Sequence, residues 1–134
     1  MAARSVTVIL QNETNFTLRL NRHHVGIDNG EWSTDFYPPG TILAKSQGVF
    51  ETQSNAFGNG TGGHVRYNIM DNKNSPDGQG NNWVDVAWYN PYWGSNVYNQ
   101  GVSDTNLYDV IKDPNTGSDY NATVRFYLSM KEIL

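Results

Sequence analysis

Large aromatic side chains are concentrated between Trp83 and Tyr98. This stretch begins with strand-like alternation and continues into a segment where Pro91 and Gly94 interrupt regular structure. Because loops lie mostly at the surface, we expect several of its rings to face solvent, where Trp and Tyr suit a membrane–water interface or a ligand surface. The alternative is a loop that folds back and covers the end of the core. The rings are those of Trp88, Tyr89, Tyr92, Trp93 and Tyr98.

Other residue types that perform chemistry give weaker signals. His23 and His24 are adjacent, so in a strand they would point to opposite faces and could not bind one metal together. Asp71–Gly78 has some features of a calcium loop, but Lys73 stands where a second oxygen ligand is needed. Gly58–Gly63 lacks the Lys-Ser/Thr ending of a phosphate loop. We therefore predict no catalytic residues, no metal, no cofactor and no enzymatic activity. A glycoside hydrolase is the weakest alternative, because nothing in the sequence singles out a pair of acids.

The composition limits the class of protein. A length of 134 residues predicts a single domain spanning residues 1–134, and the absence of cysteine excludes disulfides and thiolate sites. The formal net charge of −4, without any Lys/Arg cluster, argues against a nucleic-acid partner. The first apolar stretch is too short for a signal peptide. We therefore expect a soluble protein that is made in the cytoplasm.

Apolar residues alternate with polar ones in several runs, which is the period of a strand with one buried face. Turn residues separate these runs, and Asn29-Gly30 predicts a tight hairpin turn. Gly58–Gly63 is expected to form a flexible connection between two strands or to bring the backbone close to a ligand head group, and Asp71–Asn82 is expected to form an exposed loop. This pattern predicts an all-β, single-domain antiparallel β-sandwich. The apolar positions are Val6, Val8 and Leu10; Phe16, Leu18 and Leu20; Val65, Tyr67 and Ile69; Val84, Val86 and Trp88; and Ala122, Val124, Phe126, Leu128 and Met130.

Several short segments, in their order and spacing, resemble the aegerolysins, a family of small acidic β-sandwich proteins from fungi and bacteria. The resemblance extends from about Ser5 to Tyr127, and the Trp-Gly-Ser loop is its most specific part. The absence of cysteine and the insert near Asp71–Asn82 are closer to the bacterial branch, which includes small components of binary insecticidal crystal toxins. The matching segments are Val6–Thr14, Leu18–Leu20, Gly30–Trp32, Pro38-Pro39, Ser46–Phe50, Ser54, Gly60–Ile69 and Asn90–Asn96.

The resemblance implies recognition of membranes that contain a sphingolipid, a sterol or both. It also implies the targeting role of a two-component cytolysin or insecticidal toxin, which recruits a larger pore-forming partner and self-associates on membranes. Such a protein would be released or secreted without a leader and would act at target-cell membranes. Asn59 occupies the place where fungal members carry an acidic residue, and an amide cannot pair with a head-group cation. The implied lipid-binding residues are Trp32, Asn59, Trp88, Tyr89, Tyr92, Trp93, Ser95 and Asn96.

Two other functions fit the same aromatic loop. A lectin-like carbohydrate-binding module would stack Trp and Tyr on sugar rings while Asn and Asp side chains hydrogen-bond hydroxyl groups. A structural or storage protein would bury the loop between copies of itself. Lipid binding, inhibition by glycans and concentration-dependent assembly distinguish the three.

Overall fold

The structure, a computed structural model, describes residues 2–72 and 82–132, and this part of the chain is almost entirely β-structure. A short 3-10 turn, Arg22–His24, follows the second strand. Among the described residues there is no helix with the length and apolar character needed to span a membrane. The strands are β1 (Arg4–Asn12), β2 (Leu18–Leu20), β3 (Gly26–Asn29), β4 (Glu31–Trp32), β5 (Thr41–Ile42), β6 (Gln47–Ser54), β7 (Thr61–Ile69), β8 (Asn82–Asn90), β9 (Val97–Val102), β10 (Tyr108–Lys112) and β11 (Asn121–Met130).

The strands form two sheets that pack face to face, as the sequence predicts. The first sheet has the order β10-β11-β1-β6-β4, and the second has the order β5-β2-β7-β8-β9 with β3 also paired to β7. Neighbouring strands are antiparallel except for β1 and β11, which run in parallel. Because β1 and β11 begin at the same end of the sandwich, the segments that precede them lie side by side there.

The core lies between the sheets and is filled by the inward-facing residues of the long strands. The predicted alternation is confirmed in β1, β7, β8 and β11, where every second side chain is buried, with one exception: Met130, the last residue of β11, is exposed. Phe16, by contrast, precedes β2 and is only partly buried against the core. The largest fully buried side chains include Tyr67, Phe50, Phe126, Leu10, Leu18, Ile69 and Leu128.

Trp88 belongs to this core, which corrects its assignment to a lipid-binding surface. Its exposed fraction is 2%, and its indole packs against Phe50 with ring centroids 5.5 Å apart. The indole Nε1–H donates a hydrogen bond of 2.8 Å to Oγ1 of Thr52, which satisfies the ring's one polar group inside the core. Trp88 follows Val84 and Val86 at the strand period and therefore shares their inward face.

The Asn29-Gly30 turn is tight, but it does not form a hairpin. Gly30 has a φ of 87°, as expected for such a turn. However, Asn29 pairs with β7 in the second sheet, whereas Glu31 pairs with Gln53 of β6 in the first sheet. The hairpin prediction is therefore wrong, because the turn crosses from one sheet to the other.

The glycine-rich segment is also partly strand. Gly62 and Gly63 lie inside β7 and are buried between neighbouring strands. A Cβ atom at Gly63 would stand 2.7 Å from the carbonyl oxygen of Gly26 and 3.0 Å from the Trp88 ring. Glycine is therefore needed there for the close approach of backbone and indole, not for a flexible connection. Most of the predicted 71–82 loop and of the calcium-like motif lies outside the described residues.

Candidate functional site

Three aromatic rings meet at the end of the sandwich where β1 and β11 begin. Tyr92 and Trp93 lie in the loop of residues 91–96 between β8 and β9, and Phe57 lies in the connection between β6 and β7. The ring centroids are 4.8 Å apart for Tyr92–Trp93, 5.2 Å for Phe57–Tyr92 and 6.2 Å for Phe57–Trp93. The exposed fractions are 84% for Phe57 and 71% for Trp93. We call these three residues the aromatic patch.

Asn90 fixes the start of the 91–96 loop, which carries Tyr92 and Trp93 of the patch. It ends β8 with its side chain buried, and its amide donates hydrogen bonds to the carbonyl oxygens of Ser5 (3.1 Å) and Tyr120 (2.8 Å). The end of β8 is thereby tied to the beginnings of β1 and β11. Pro91 follows directly, and Gly94 has a φ of 102°, so the chain turns outward between two strands that are firmly held.

Arg4 contacts Tyr92 of the patch and stabilises its position. Its guanidinium carbon lies 4.1 Å from the ring centroids of both Tyr92 and Tyr120, so the cation is sandwiched between two phenol rings. Nη2 also donates a hydrogen bond of 2.6 Å to the carbonyl oxygen of Tyr92. The exposed fraction of Arg4 is only 9%, and no acidic side chain in the described ranges forms an ion pair with it. Arg4 therefore orients the loop through stacking and backbone hydrogen bonding.

A cleft of about 600 Å³ opens beside the patch, between the 91–96 loop and the segment from Lys112 to Tyr120. Asn96 joins the two walls, because its amide donates to the carbonyl oxygens of Gly117 (2.8 Å) and Asp119 (3.1 Å). The Tyr98 hydroxyl donates a hydrogen bond of 2.8 Å to the same Gly117 oxygen. Because burial raises the pKa of this phenol, it remains a donor at neutral pH. These bonds preform the cleft.

The cleft carries both signs of charge. Lys112 lies on one wall, with Nζ 5.5 Å from the Tyr98 ring centroid and 3.2 Å from the carbonyl oxygen of Asp113, to which it donates. No carboxylate of the described segments pairs with this ammonium group. Asp119 and the hydroxyl-bearing Ser95 also line the cleft. An anion can therefore approach Lys112 while a cation is accepted beside Asp119 or a tyrosine face.

Two of the other predicted residues lie away from the patch. Trp32 is half-buried at the edge of the first sheet, where its ring contacts Tyr37 (5.3 Å) and Trp88 (6.0 Å) and, within the described residues, no ring of the patch. Tyr89 is exposed, but it projects from the outer face of the second sheet because it follows the inward Trp88 by one residue.

The structure brings Tyr92, Trp93, Ser95, Asn96 and Asn59 to the same end. Asn59 is exposed and follows Gly58, where a Cβ atom would lie 3.6 Å from the Trp93 ring. Both polar and aromatic residues of the predicted site therefore lie together at this end of the sandwich. Trp32, Trp88 and Tyr89 are not part of this group.

Sequence reasoning missed Phe57, Arg4, Tyr120 and Lys112. Phe57 had a local signal, because a large apolar residue directly before Gly58-Asn59-Gly60 has little chance of being buried. Arg4 and Tyr120 gave no such signal, since their contact depends on the parallel pairing of β1 with β11.

Comparisons with known proteins show a similarity of fold and no match of sequence family. No protein-family model matches the chain, and no curated protein matches it. The solved structure of RahU protein in complex with a Tris molecule covers 100% of both chains with a TM-score of 0.71 at 12% identity. The structure of IP-1A from Alcaligenes faecalis covers 94% of this chain and 91% of its own, with a TM-score of 0.66 at 15% identity. Both have the aegerolysin fold, and the chain shares that fold.

Proposed function

We propose that this chain is a member of the aegerolysin family and recognises membrane lipid through the aromatic patch and the adjoining cleft. The observation that carries the proposal is the exposure of Phe57 and Trp93, which contact each other from two neighbouring loops, of which the Trp93 loop is firmly held. Soluble proteins seldom leave two large aromatic rings almost fully in water without a function for them. Aromatic rings of this kind are favoured at the membrane–water interface.

The energetics favour shallow docking with additional head-group contacts. Shallow insertion buries only part of the roughly 150–250 Å² that each aromatic ring offers; about 60 Å² per ring, at about 25 cal/mol per Å², gives about 4–5 kcal/mol for the three rings of the patch. That amount corresponds to a dissociation constant of about 1 mM, which is too weak for selective targeting by one copy. Useful affinity therefore needs the cleft, or many docked copies that act together.

The charges in the cleft suit a zwitterionic head group. The phosphate would lie at Lys112, which has no ion-pair partner among the described carboxylates, and the ammonium group would lie near Asp119 or the face of Tyr120. Phosphocholine and phosphoethanolamine both have this arrangement of charge. Recognition of a membrane that contains a sphingolipid or a sterol is proposed on the family resemblance, but Asn59 argues against carrying over the family's specificity for sphingomyelin or ceramide phosphoethanolamine.

The proposed role in a larger system is to recruit a pore-forming partner. Docked copies would self-associate on the membrane and raise the local concentration of that partner. This step also follows from the family resemblance, and it predicts that the chain alone binds vesicles without releasing their contents.

Co-sedimentation with liposomes tests the proposal. Phosphatidylcholine vesicles would be used alone and then with cholesterol, sphingomyelin or ceramide phosphoethanolamine. Removing one patch ring, in Trp93→Ala or Phe57→Ala, should weaken binding about tenfold or more, because each ring contributes more than 1.4 kcal/mol. Leu43→Ala is the matched control, since Leu43 is 63% exposed at the opposite end of the sandwich. Wild-type binding by Trp93→Ala would contradict the proposal.

The role of the cleft is tested separately. Lys112→Gln should reduce the preference for sphingomyelin or ceramide phosphoethanolamine while the protein stays folded. Lys45→Gln removes the same charge at the far end, where the Lys45 ammonium contacts the carbonyl oxygen of Glu13. Equal effects of the two variants would reject a head-group site in the cleft. Binding to no lipid mixture, together with inhibition of glycan binding by free oligosaccharide, would favour the lectin alternative at the same loop.

A further inference from the structure

A second recessed surface lies on the outer face of the second sheet, away from the aromatic patch. The strand register places Ala87 between His64 and Asn99, and it places Asp85 between Arg66 and Gly101. The small residues Ala87, on β8, and Gly101, on β9, are thus diagonal neighbours on this face, whereas the positions around them carry larger side chains. A groove of about 360 Å³ follows, lined by His64, Trp83, Asp85, Ala87, Asn99 and Gly101.

Gly101 is the informative residue of this groove. Its backbone does not adopt a positive φ, and a Cβ atom added to it would meet nothing within 4 Å. By contrast, Gly62 and Gly63 of β7 are sterically required, since a Cβ atom at either would clash with backbone. Glycine inside a strand is unfavourable unless another group approaches closely, and among the described residues no protein group does so at Gly101. The open space is therefore available to a ligand.

One wall of the groove is an aromatic ring that is held in place. The guanidinium carbon of Arg66 lies 3.8 Å from the Trp83 ring centroid. Arg66 is itself fixed by two hydrogen bonds to Asp85, of 2.7 and 2.9 Å, and this hydrogen bonding raises its pKa and keeps it charged. The indole thus borders the groove in a preorganised orientation, which lowers the entropic cost of stacking a ligand on it.

The chemistry of the lining discriminates between ligand classes. An acyl chain would lie against the Arg66–Asp85 ion pair and would leave the exposed amide of Asn99 without a partner. An anion would find the guanidinium beside the groove, that of Arg66, already engaged by both oxygens of Asp85. A protein partner would need a surface well beyond one groove of this size. A neutral polyhydroxylated ring meets apolar carbon with one face and hydrogen-bonding groups with its rim.

We propose that this groove is a carbohydrate site that binds one pyranose unit of a neutral oligosaccharide. The sugar ring lies over Ala87 and Gly101 against the edge of Trp83, and its hydroxyl groups reach Asn99, Asp85 and His64. The groove volume is near the lower end of the range for small-molecule sites, about 300–1,000 Å³, which fits a single ring better than an extended chain. The site is distinct from the loop that carries the aromatic patch.

The test is an amide chemical-shift titration of the isotope-labelled protein with cellotriose, laminaritriose, mannotriose and chitotriose. At least one of these should shift the amides of Ala87, Asn99 and Gly101 saturably, with a dissociation constant of about 1 mM. Gly101→Phe should weaken this binding about tenfold or more, because the new side chain occupies the groove from a position where a Cβ atom meets nothing within 4 Å. Thr123→Phe is the matched control on the outer face of the first sheet, where Thr123 is exposed.

Three results would overturn the proposal: no shift with any of the four sugars, shifts that persist in Gly101→Phe, or shifts at these amides with phosphocholine and not with sugar. Retained liposome binding by Gly101→Phe would show that the groove and the aromatic patch act independently. A failure of the sugar site would therefore leave the lipid proposal untouched, and the converse also holds.

Discussion

Trp88 and Trp93 belong to the same stretch of sequence but occupy opposite environments. Alternation with Val84 and Val86 places Trp88 inside the sandwich, whereas Pro91 and Gly94 place Trp93 in a solvent-facing turn. Local period and turn chemistry therefore predict both environments. The family resemblance suggested a surface role for Trp88, and there the periodicity was the better guide.

This contrast predicts unequal effects on stability. Trp88→Ala should lower the free energy of unfolding by about 3–5 kcal/mol, since it leaves a core cavity and an unpaired Thr52 hydroxyl. Trp93→Ala should change it by less than about 0.5 kcal/mol, as is usual for exposed side chains. Chemical denaturation followed by circular dichroism measures both values. A stability loss in Trp93→Ala as large as in Trp88→Ala would contradict the structure.

Arg4 gives a second prediction at the residue scale. Arg4→Lys retains the charge but loses the planar group that stacks on Tyr92 and Tyr120, so the unfolding free energy should fall by about 1–2 kcal/mol. The amides of residues 91–96 should exchange faster with solvent, because the loop loses its support, and liposome binding should weaken in parallel. Arg125→Lys is the matched control, since Arg125 contacts two glutamines on the outer face of the first sheet. Unchanged exchange in the loop would rule out the orienting role of Arg4.

At the scale of elements, the crossing turn at Gly30 links the two sheets. Gly30→Ala should lower the unfolding free energy by about 2 kcal/mol or more, since a Cβ atom there would stand 2.4 Å from the Gln53 carbonyl oxygen at a φ of 87°. Gly101→Ala is the control, because its Cβ atom meets nothing and it should be neutral or stabilising by up to about 1 kcal/mol. Thermal denaturation of the two variants would decide, and equal melting temperatures would contradict the described turn.

β1, β7, β8 and β11 could be predicted because each has one buried face with a period of two. β6 was not predicted, because its buried positions are Gly48, Phe50, Thr52 and Ser54, of which only Phe50 is a large apolar residue. β9 and β10 escaped the same reasoning, because Val97–Val102 and Tyr108–Lys112 are short and carry little apolar alternation. The Asn29-Gly30 error has a different cause. The dipeptide determines the local backbone, but β6 and β7, distant in sequence, determine which strand pairs on each side.

At the scale of the whole molecule, the proposed lipid site belongs to one end of the sandwich. Arg4, Phe57, Trp93 and Tyr120 come from the beginnings and ends of different strands, and strand pairing brings them together. Sequence reasoning found the loop that carries Trp93, because its composition is unusual by itself. It could not find the partners of that loop, because their contacts depend on topology. The charge of the cleft also differs from that of the whole chain, because Lys112 lies in the cleft whereas the chain has a net charge of −4.

The central claim is that Trp93 enters the membrane interface, and quenching of tryptophan fluorescence by brominated phospholipid tests it most directly. Wild-type protein and Trp93→Phe would be bound to the same vesicles, since phenylalanine preserves much of the apolar ring and allows the variant to bind. We expect strong quenching of the wild type and loss of most of it in Trp93→Phe, because Trp88 is buried, Trp32 is half-buried, and Trp83 is half-buried at the other end of β8 from the patch. Equal quenching of both proteins, or binding of the wild type without quenching, would contradict the assignment of the aromatic patch as the membrane-binding surface.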